Sequence, residues 1–267
     1  MRKTGLFVLF AVSLLAFGKT DACTGITLRT TKGQTITART IEWAYTPLKG
    51  IYTVVPRGYT QRSFLPDGLK EGMEFTSRYG YAGVAVEQAE FVMEGINEAG
   101  LSAGLFYFPD YGEYEDYDSS KKNKTISDFQ LVSWILANFK TVDEVKAAMK
   151  DIRVVSIDRR SSTVHWRVIE ESGRQIVMEI VGKQVLFHEN ELGVLTNSPS
   201  FDWHLKNLNN YINLFAGSAE SKKNERCYAS RFRGRQRVAR HSGRHDASFT
   251  FHKSRFLSDE CTIVGIK

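Results

Sequence analysis

Five prolines, three cysteines and six histidines among 267 residues deny several protein classes the residues they depend on. Three cysteines, Cys23, Cys227 and Cys261, are too few for a disulfide framework, and their odd number leaves at least one thiol free or reactive. His165, His188 and His204 are the histidines outside the C-terminal stretch, and their spacing suits no metal centre. His165 and His188 fall inside strand-like segments, where a structural role is expected. No phosphate loop or dinucleotide fingerprint is present, so neither metal nor cofactor is expected. At 42% hydrophobic and 25% charged residues, disordered and collagen-like chains are also excluded.

What is there is a core-forming chain whose basicity sits in one place. Between Arg226 and Arg255, eight Arg and one Lys stand against Asp246 alone, which puts +8 in the tail. The total is +6, so the remainder carries −2, and a nucleic-acid partner is not expected.

The N-terminus reads as a signal peptide over residues 1–22. Arg2 and Lys3 precede the apolar stretch Leu6 to Phe17, and Thr20-Asp21-Ala22 places a small-residue cleavage site after Ala22. The apolar stretch is shorter than the about 20 residues of a membrane span. The mature chain is therefore expected to be exported, periplasmic or secreted, with no membrane association after cleavage. It would begin at Cys23, which then carries both a thiol and a free α-amine: a nucleophile with its own base. A lipid-anchored cysteine is the rival reading, which Asp21 fits poorly, and an inert thiol is the third.

Strands dominate the first half. Cys23 to Thr30 and a second strand through Ile36, Ala38 and Thr40 flank a hairpin turn at Thr31-Lys32-Gly33-Gln34. Further strands are expected at Ile51–Val55, Tyr81–Val86, Phe91–Ile96 and Leu101–Phe108. Helical spacing predicts a helix over Ile126 to Phe139 with Ser127 as cap. A second helix is predicted from Thr141, which caps it with Glu144 three residues on, to about Ile152. A meander then runs through Val164–Glu170, Gln175–Val181 and Gln184–His188, and Phe201 to Phe215 reads as a helix. This order predicts a layered α+β domain with antiparallel sheets.

Beside Cys23, three groups of residues are candidates for chemistry. Arg39 and Glu42 lie near the end of the strand after the one bearing Cys23, so a hairpin brings Arg39 toward the thiol, where a guanidinium favours thiolate. A surface ion pair between Arg39 and Glu42 is the plainer alternative. Asn197, after an expected strand end, suits an oxyanion donor or a simple turn residue. Phe106, Tyr107 and Phe108, with Pro109 and Tyr111, suit either an acyl pocket or the core.

Four separated motifs carry a family resemblance. Cys23-Thr24-Gly25, Ala38-Arg39-Thr40-Ile41-Glu42-Trp43, Gly95-Ile96-Asn97-Glu98-Ala99-Gly100-Leu101 and Gly193-Val194-Leu195-Thr196-Asn197-Ser198-Pro199-Ser200-Phe201-Asp202-Trp203 resemble the choloylglycine hydrolases, which comprise conjugated bile acid hydrolases and penicillin V acylases. The resemblance implies an α+β, αββα four-layer Ntn-hydrolase sandwich over 23–223, incomplete at the C-terminus. It implies hydrolysis of a small-molecule N-acyl amide through a thioester on Cys23, and a homo-tetramer. Arg39 matches the family's strand arginine and Asn197 its oxyanion asparagine, while Glu42 stands where many members have Asp. Phe106 or Tyr107 replaces the asparagine frequent in bile acid hydrolases, nearer the aromatic of penicillin acylases, and leaves a backbone N–H for the oxyanion.

From residue 224 to 267 the composition changes abruptly, and His241, His245 and His252 make up half of all histidines. Read one nucleotide later, Gly234 to Phe256 can encode the family's Pro-Gly-Asp under Ser242 to His245 and its Ser-Arg-Phe under Phe249 to His252. A frameshift upstream of Gly234 is the expected cause, leaving sheet edges and apolar faces uncovered and the chain poorly folded and nearly inactive. The nucleotide sequence of the locus tests this: codons incompatible with the second frame exclude it.

Overall fold

The computed structural model describes residues 23–42, 49–66, 68–158 and 162–212. The expected signal peptide, Trp43, Cys227, Cys261 and the basic tail lie outside them.

Two antiparallel sheets face each other. The smaller has the order β14-β1-β2, from β1 (Thr24–Arg29), β2 (Thr35–Arg39) and β14 (Val194–Thr196). The hairpin between β1 and β2 turns at Thr31–Gln34 as expected, with Gly33 at φ +81°, where a Cβ would be strained, and Thr30 N–H donating to Gln34 O. The larger sheet has seven strands in the order β13-β12-β11-β8-β7-β6-β3. These are β3 (Gly50–Val55), β6 (Tyr81–Val86), β7 (Val92–Asn97), β8 (Ser102–Tyr107), β11 (Val164–Ile169), β12 (Gln175–Val181) and β13 (Gln184–Glu189). Strands β8, β11 and β12 are buried along nearly their whole length, because they are central and covered on both faces.

Helices cover one face of the large sheet. α1 (Leu131–Asn138) buries Leu131, Ile135 and Leu136, and α2 (Val142–Ala148) buries Val142 and Val145, against Trp166, Val168, Ile176 and Met178 of the sheet. Thr141 caps α2 by accepting from Glu144 N–H, as its sequence position indicates. Asn97 explains one of the four motifs in structural terms. Its Nδ2 donates to Leu136 O and Phe139 O, two carbonyls at the end of α1, and its Oδ1 accepts from the N–H groups of Ala99 and Leu101. One side chain thus closes a helix and shapes the β7–β8 turn.

The predicted helix from Ile126 is corrected. β9 (Thr125–Ser127) pairs in parallel with β10 (Arg153–Val155), so the first residues of that segment are strand, and α1 starts at Leu131. The partner strand is about thirty residues away, beyond what local spacing conveys. The second helix ends at Ala148 rather than Ile152. The last described helix, α3 (Phe201–Leu208), sets Phe201 and Leu208 against a smaller cluster of Cys23, Phe106, Val177, Val194 and Leu195. A hairpin of β4 (Thr60–Arg62) and β5 (Glu74–Thr76) was not expected. On β3 and β7, Tyr52, Val54 and Ile96 are 91%, 79% and 54% exposed, an apolar face left open to solvent.

Asp128, in the short turn before α1, is fully buried, and its Oδ1 accepts from Phe129 N–H and Ile157 N–H. Burial pushes its carboxyl up to about 7, against the opposing effect of those donors. The folded state then keeps a proton that the unfolded chain has lost above its ordinary value of 3.8, so stability falls as pH rises from about 4 through 7. Asp128→Asn should match the parent in urea unfolding near pH 4 and exceed it at pH 8 by on the order of 2–4 kcal/mol. Equal stability of the two at pH 8 would contradict the buried acid.

Candidate active site

The register of the small sheet brings the expected site residues together. Thr24 pairs with Thr196 and Gly25 with Arg39, so continuing each ladder by one step or two sets Cys23 opposite Asn197 on one side and Ile41 on the other. Alternation along β1 turns Cys23, Gly25 and Thr27 toward the large sheet. Consistent with this, Cys23 is buried in the cluster with Phe106, and Thr27 Oγ1 donates to Gln175 Oε1 of β12. The Cys23 thiol lies 3.5 Å from both the backbone N and the backbone O of Glu42. Glu42 therefore meets Cys23 through its main chain, and the residue itself is exposed.

Arg39 crosses between the sheets. Its guanidinium lies 4.0 Å over the centre of the Phe106 ring, donates to Met93 O, Leu105 O and Thr40 O, and stands 3.5 Å from Glu94 Oε2. The carboxylate that answers Arg39 is thus Glu94 of β7. Glu94 also receives Arg167 Nη2 at 3.2 Å on its other oxygen. The side chains of Arg39, Glu94 and Arg167 are 5%, 18% and 1% exposed. Burial pulls the Arg167 guanidinium down from its ordinary range, Glu94 pushes it back up, and Arg39 lowers it further.

Two glycines make room for this cluster. A Cβ on Gly25 would sit 2.6 Å from the Phe106 ring and 2.7 Å from Arg167 Nη1, and one on Gly104 would overlap the Glu94 carboxylate. The glycine in Cys23-Thr24-Gly25 is therefore a matter of space beneath the strand.

Asn197 has a defined orientation. Tyr107 N–H donates to Asn197 Oδ1 at 3.1 Å, which assigns the amide oxygen to that side and leaves Nδ2 as the group's donor. Ser198 N–H returns a bond to Tyr107 O, tying the ends of β14 and β8. The Tyr107 N–H, expected to hold an oxyanion, is turned to Asn197 instead. Phe106 is corrected as a pocket wall: it is fully buried, with its ring beneath Arg39 and 5.5 Å from Arg167. Phe108 is likewise core, stacked on His165 at 4.4 Å. Tyr107 is half-buried, with its hydroxyl on Ser162 Oγ, and Tyr111 is exposed.

Glu94, Arg167 and the pair His165–Glu179 were not singled out as site residues by sequence reasoning. Their signal was a charge in the middle of an otherwise apolar strand, a placement that only a partner tolerates. Among the described residues no cluster of three or more His, Cys, Asp or Glu could hold a metal, and no helix is long and apolar enough to cross a membrane. Two open surface hollows, of about 400 Å³ beside Arg78 and Glu144 and about 510 Å³ beside Val54 and Ile96, are lined by none of Cys23, Arg39, Glu42, Tyr107 or Asn197.

Comparison with known proteins places these features in context. The model of the linear amide C–N hydrolases of the choloylglycine hydrolase family matches residues 23–240, past the compositional change at 224. A bile salt hydrolase/transferase of Clostridium perfringens is 33% identical over 199 residues, covering 72% of this chain and 58% of its own length. A crystal structure of conjugated bile acid hydrolase from that organism superposes with a TM-score of 0.70 at 29% identity, over 89% of this chain and 72% of the other. Penicillin V acylase from Agrobacterium tumefaciens gives a TM-score of 0.60 at 27% identity, over 71% and 56%. The chain thus spans less than two thirds of the length of the curated bile salt hydrolase it matches.

Proposed function

Because the chain belongs to the choloylglycine hydrolase family of linear amide C–N hydrolases, we propose that it cleaves a small-molecule N-acyl amide using Cys23 as an N-terminal nucleophile. The observation that carries this reading is the strand register that sets Cys23 opposite Asn197.

After cleavage behind Ala22, the α-amine of Cys23 takes the thiol proton, and Sγ attacks the amide carbonyl carbon. The tetrahedral oxyanion is stabilised by Asn197 Nδ2, the donor left by the Tyr107 N–H on Oδ1. Collapse breaks the C–N bond, and the ammonium returns the proton to the leaving amine. Water then attacks the thioester and releases the acid, with the proton going back to sulfur. Arg39, anchored to Glu94, supplies positive charge under the strand beside the cysteine, and Glu42, whose backbone meets the thiol, is the carboxylate we assign to orient the freed α-amine. Phe106 stays in the core beneath Arg39, and Tyr107 orients Asn197. The relatives named for bile salts and for penicillin V define the substrate panel. Export of the mature chain and a homo-tetramer belong to the same proposal.

N-terminal mass spectrometry of the exported chain should find free Cys23, and conjugated bile salts, penicillin V and acyl homoserine lactones should include at least one substrate. Cys23→Ala should abolish that turnover, and Asn197→Ala should cut kcat roughly 100-fold or more without unfolding the protein. A diacylglyceryl mass on Cys23 would make the chain a lipid-anchored protein. A cooperatively folded chain that turns over none of the panel would make it an inactive remnant.

A further inference from the structure

Beneath Asn197 lies a buried polar set that the chemistry above does not use. His165 of β11 and Glu179 of β12 are neighbours on the inner face of the large sheet, and His188 of β13 and His204 of α3 close around them. His165, Glu179 and His204 are all at most 1% exposed. Glu179 Oε1 accepts from Phe201 N–H at 2.8 Å and faces His165 Nδ1 at 3.1 Å. His188 Nε2 stands 3.4 Å from Glu179 Oε2, close but not aligned as a hydrogen bond. Burial alone would raise the Glu179 carboxyl, but the contacts with His165 and His188 outweigh it and hold the group down at about 2.

The second ring nitrogen of His165 decides what this pair is. Nε2 lies 2.9 Å from Thr196 O, so the ring faces a carboxylate on one side and a carbonyl on the other. A neutral imidazole has one N–H and would turn a lone pair on one of these acceptors, whereas the imidazolium donates to both. Stacking on Phe108 and the buried carboxylate compensate the charge. Three oxygens around the oxyanion donor are then gripped at once: Thr196 O by His165, Asn197 O by His204 Nε2 at 3.1 Å, and Asn197 Oδ1 by Tyr107 N–H.

We propose that His165, charged and paired with Glu179, and His204 are positioning residues that lock the Thr196–Asn197 backbone, so that the Asn197 amide is held in a single orientation for the oxyanion. The inference rests on Asn197 acting as the oxyanion donor. The lock itself is a statement about the backbone, and it is testable without turnover.

The test uses His165→Gln, Glu179→Gln and their combination. In the single His165→Gln variant the new amide can bond Thr196 O only by turning its own oxygen on Glu179. In the double variant the two amides can bond each other, with Gln at 165 donating to Thr196 O and Gln at 179 accepting from Phe201 N–H. Hydrogen exchange at Tyr107 N–H should quicken at least tenfold in His165→Gln and recover in the double variant, while Val177 N–H stays unchanged. On the best substrate kcat should follow the same order, with KM within twofold, and ¹⁵N spectra of the parent should show both ring nitrogens of His165 protonated at neutral pH.

Unchanged Tyr107 exchange in His165→Gln overturns the proposal. So does a kcat loss no larger than that of Leu136→Ala, a core variant remote from the network, at equal loss of melting temperature. If His165→Gln does not fold, His204→Leu carries the exchange test, with the same expected quickening at Tyr107. Exchange that behaves as expected in a chain without turnover would refute the hydrolase reading and leave the lock standing.

Discussion

Two arginines and one glutamate closed between two sheets set the terms for everything around the cysteine. Removing charge from water costs several kcal/mol per ion, and the cost is met here only because each group of the set answers another. Arg39 comes from the small sheet, while Glu94 and Arg167 come from the large one, so the cluster is also a joint between layers. Gly25 and Gly104 exist at the joint because any side chain there would displace a charged group or the Phe106 ring. The cluster's net positive charge lies beneath the strand that begins next to Cys23.

A second polar layer, the histidines and Glu179, supports the opposite flank of the cysteine. It differs from the first in what it holds. The arginine cluster ties side chain to side chain across the sheets, whereas the histidines grip the carbonyls of Thr196 and Asn197. Between them the Tyr107 N–H fixes which end of the Asn197 amide can donate. A thiol, a cation and an oriented amide thus sit at or beside the ends of three paired strands.

Much of the fold was legible because it depends on local pattern. Tyr81–Val86 and Gln175–Val181 have the bounds their composition indicates, and the turn at Gly33 follows from a backbone that only glycine adopts easily. Thr125–Ser127 was misread because its strand exists through a distant partner, Arg153–Val155. The cysteine, Arg39 and Asn197 stood out through motif, and the register sets Cys23 opposite Asn197 and Arg39 beside Gly25. Glu94, Arg167 and Glu179 stayed hidden because a lone charge in an apolar strand calls for a partner without naming it. Their partners become visible only when two sheets are laid face to face. Phe106 was read as a possible pocket wall for the converse reason: an aromatic beside a functional residue looks the same whether it faces substrate or core.

The most direct test is a double-mutant cycle between Glu94 and Arg167, read by urea unfolding. Glu94→Gln alone strands two buried guanidinium groups and should cost about 3–5 kcal/mol. Combining it with Arg167→Met, which removes one of those cations, should recover part of that loss, with a coupling of about 1–3 kcal/mol. Additive losses within about 0.5 kcal/mol would show that the two groups are independent, and would contradict the joint on which the site is built.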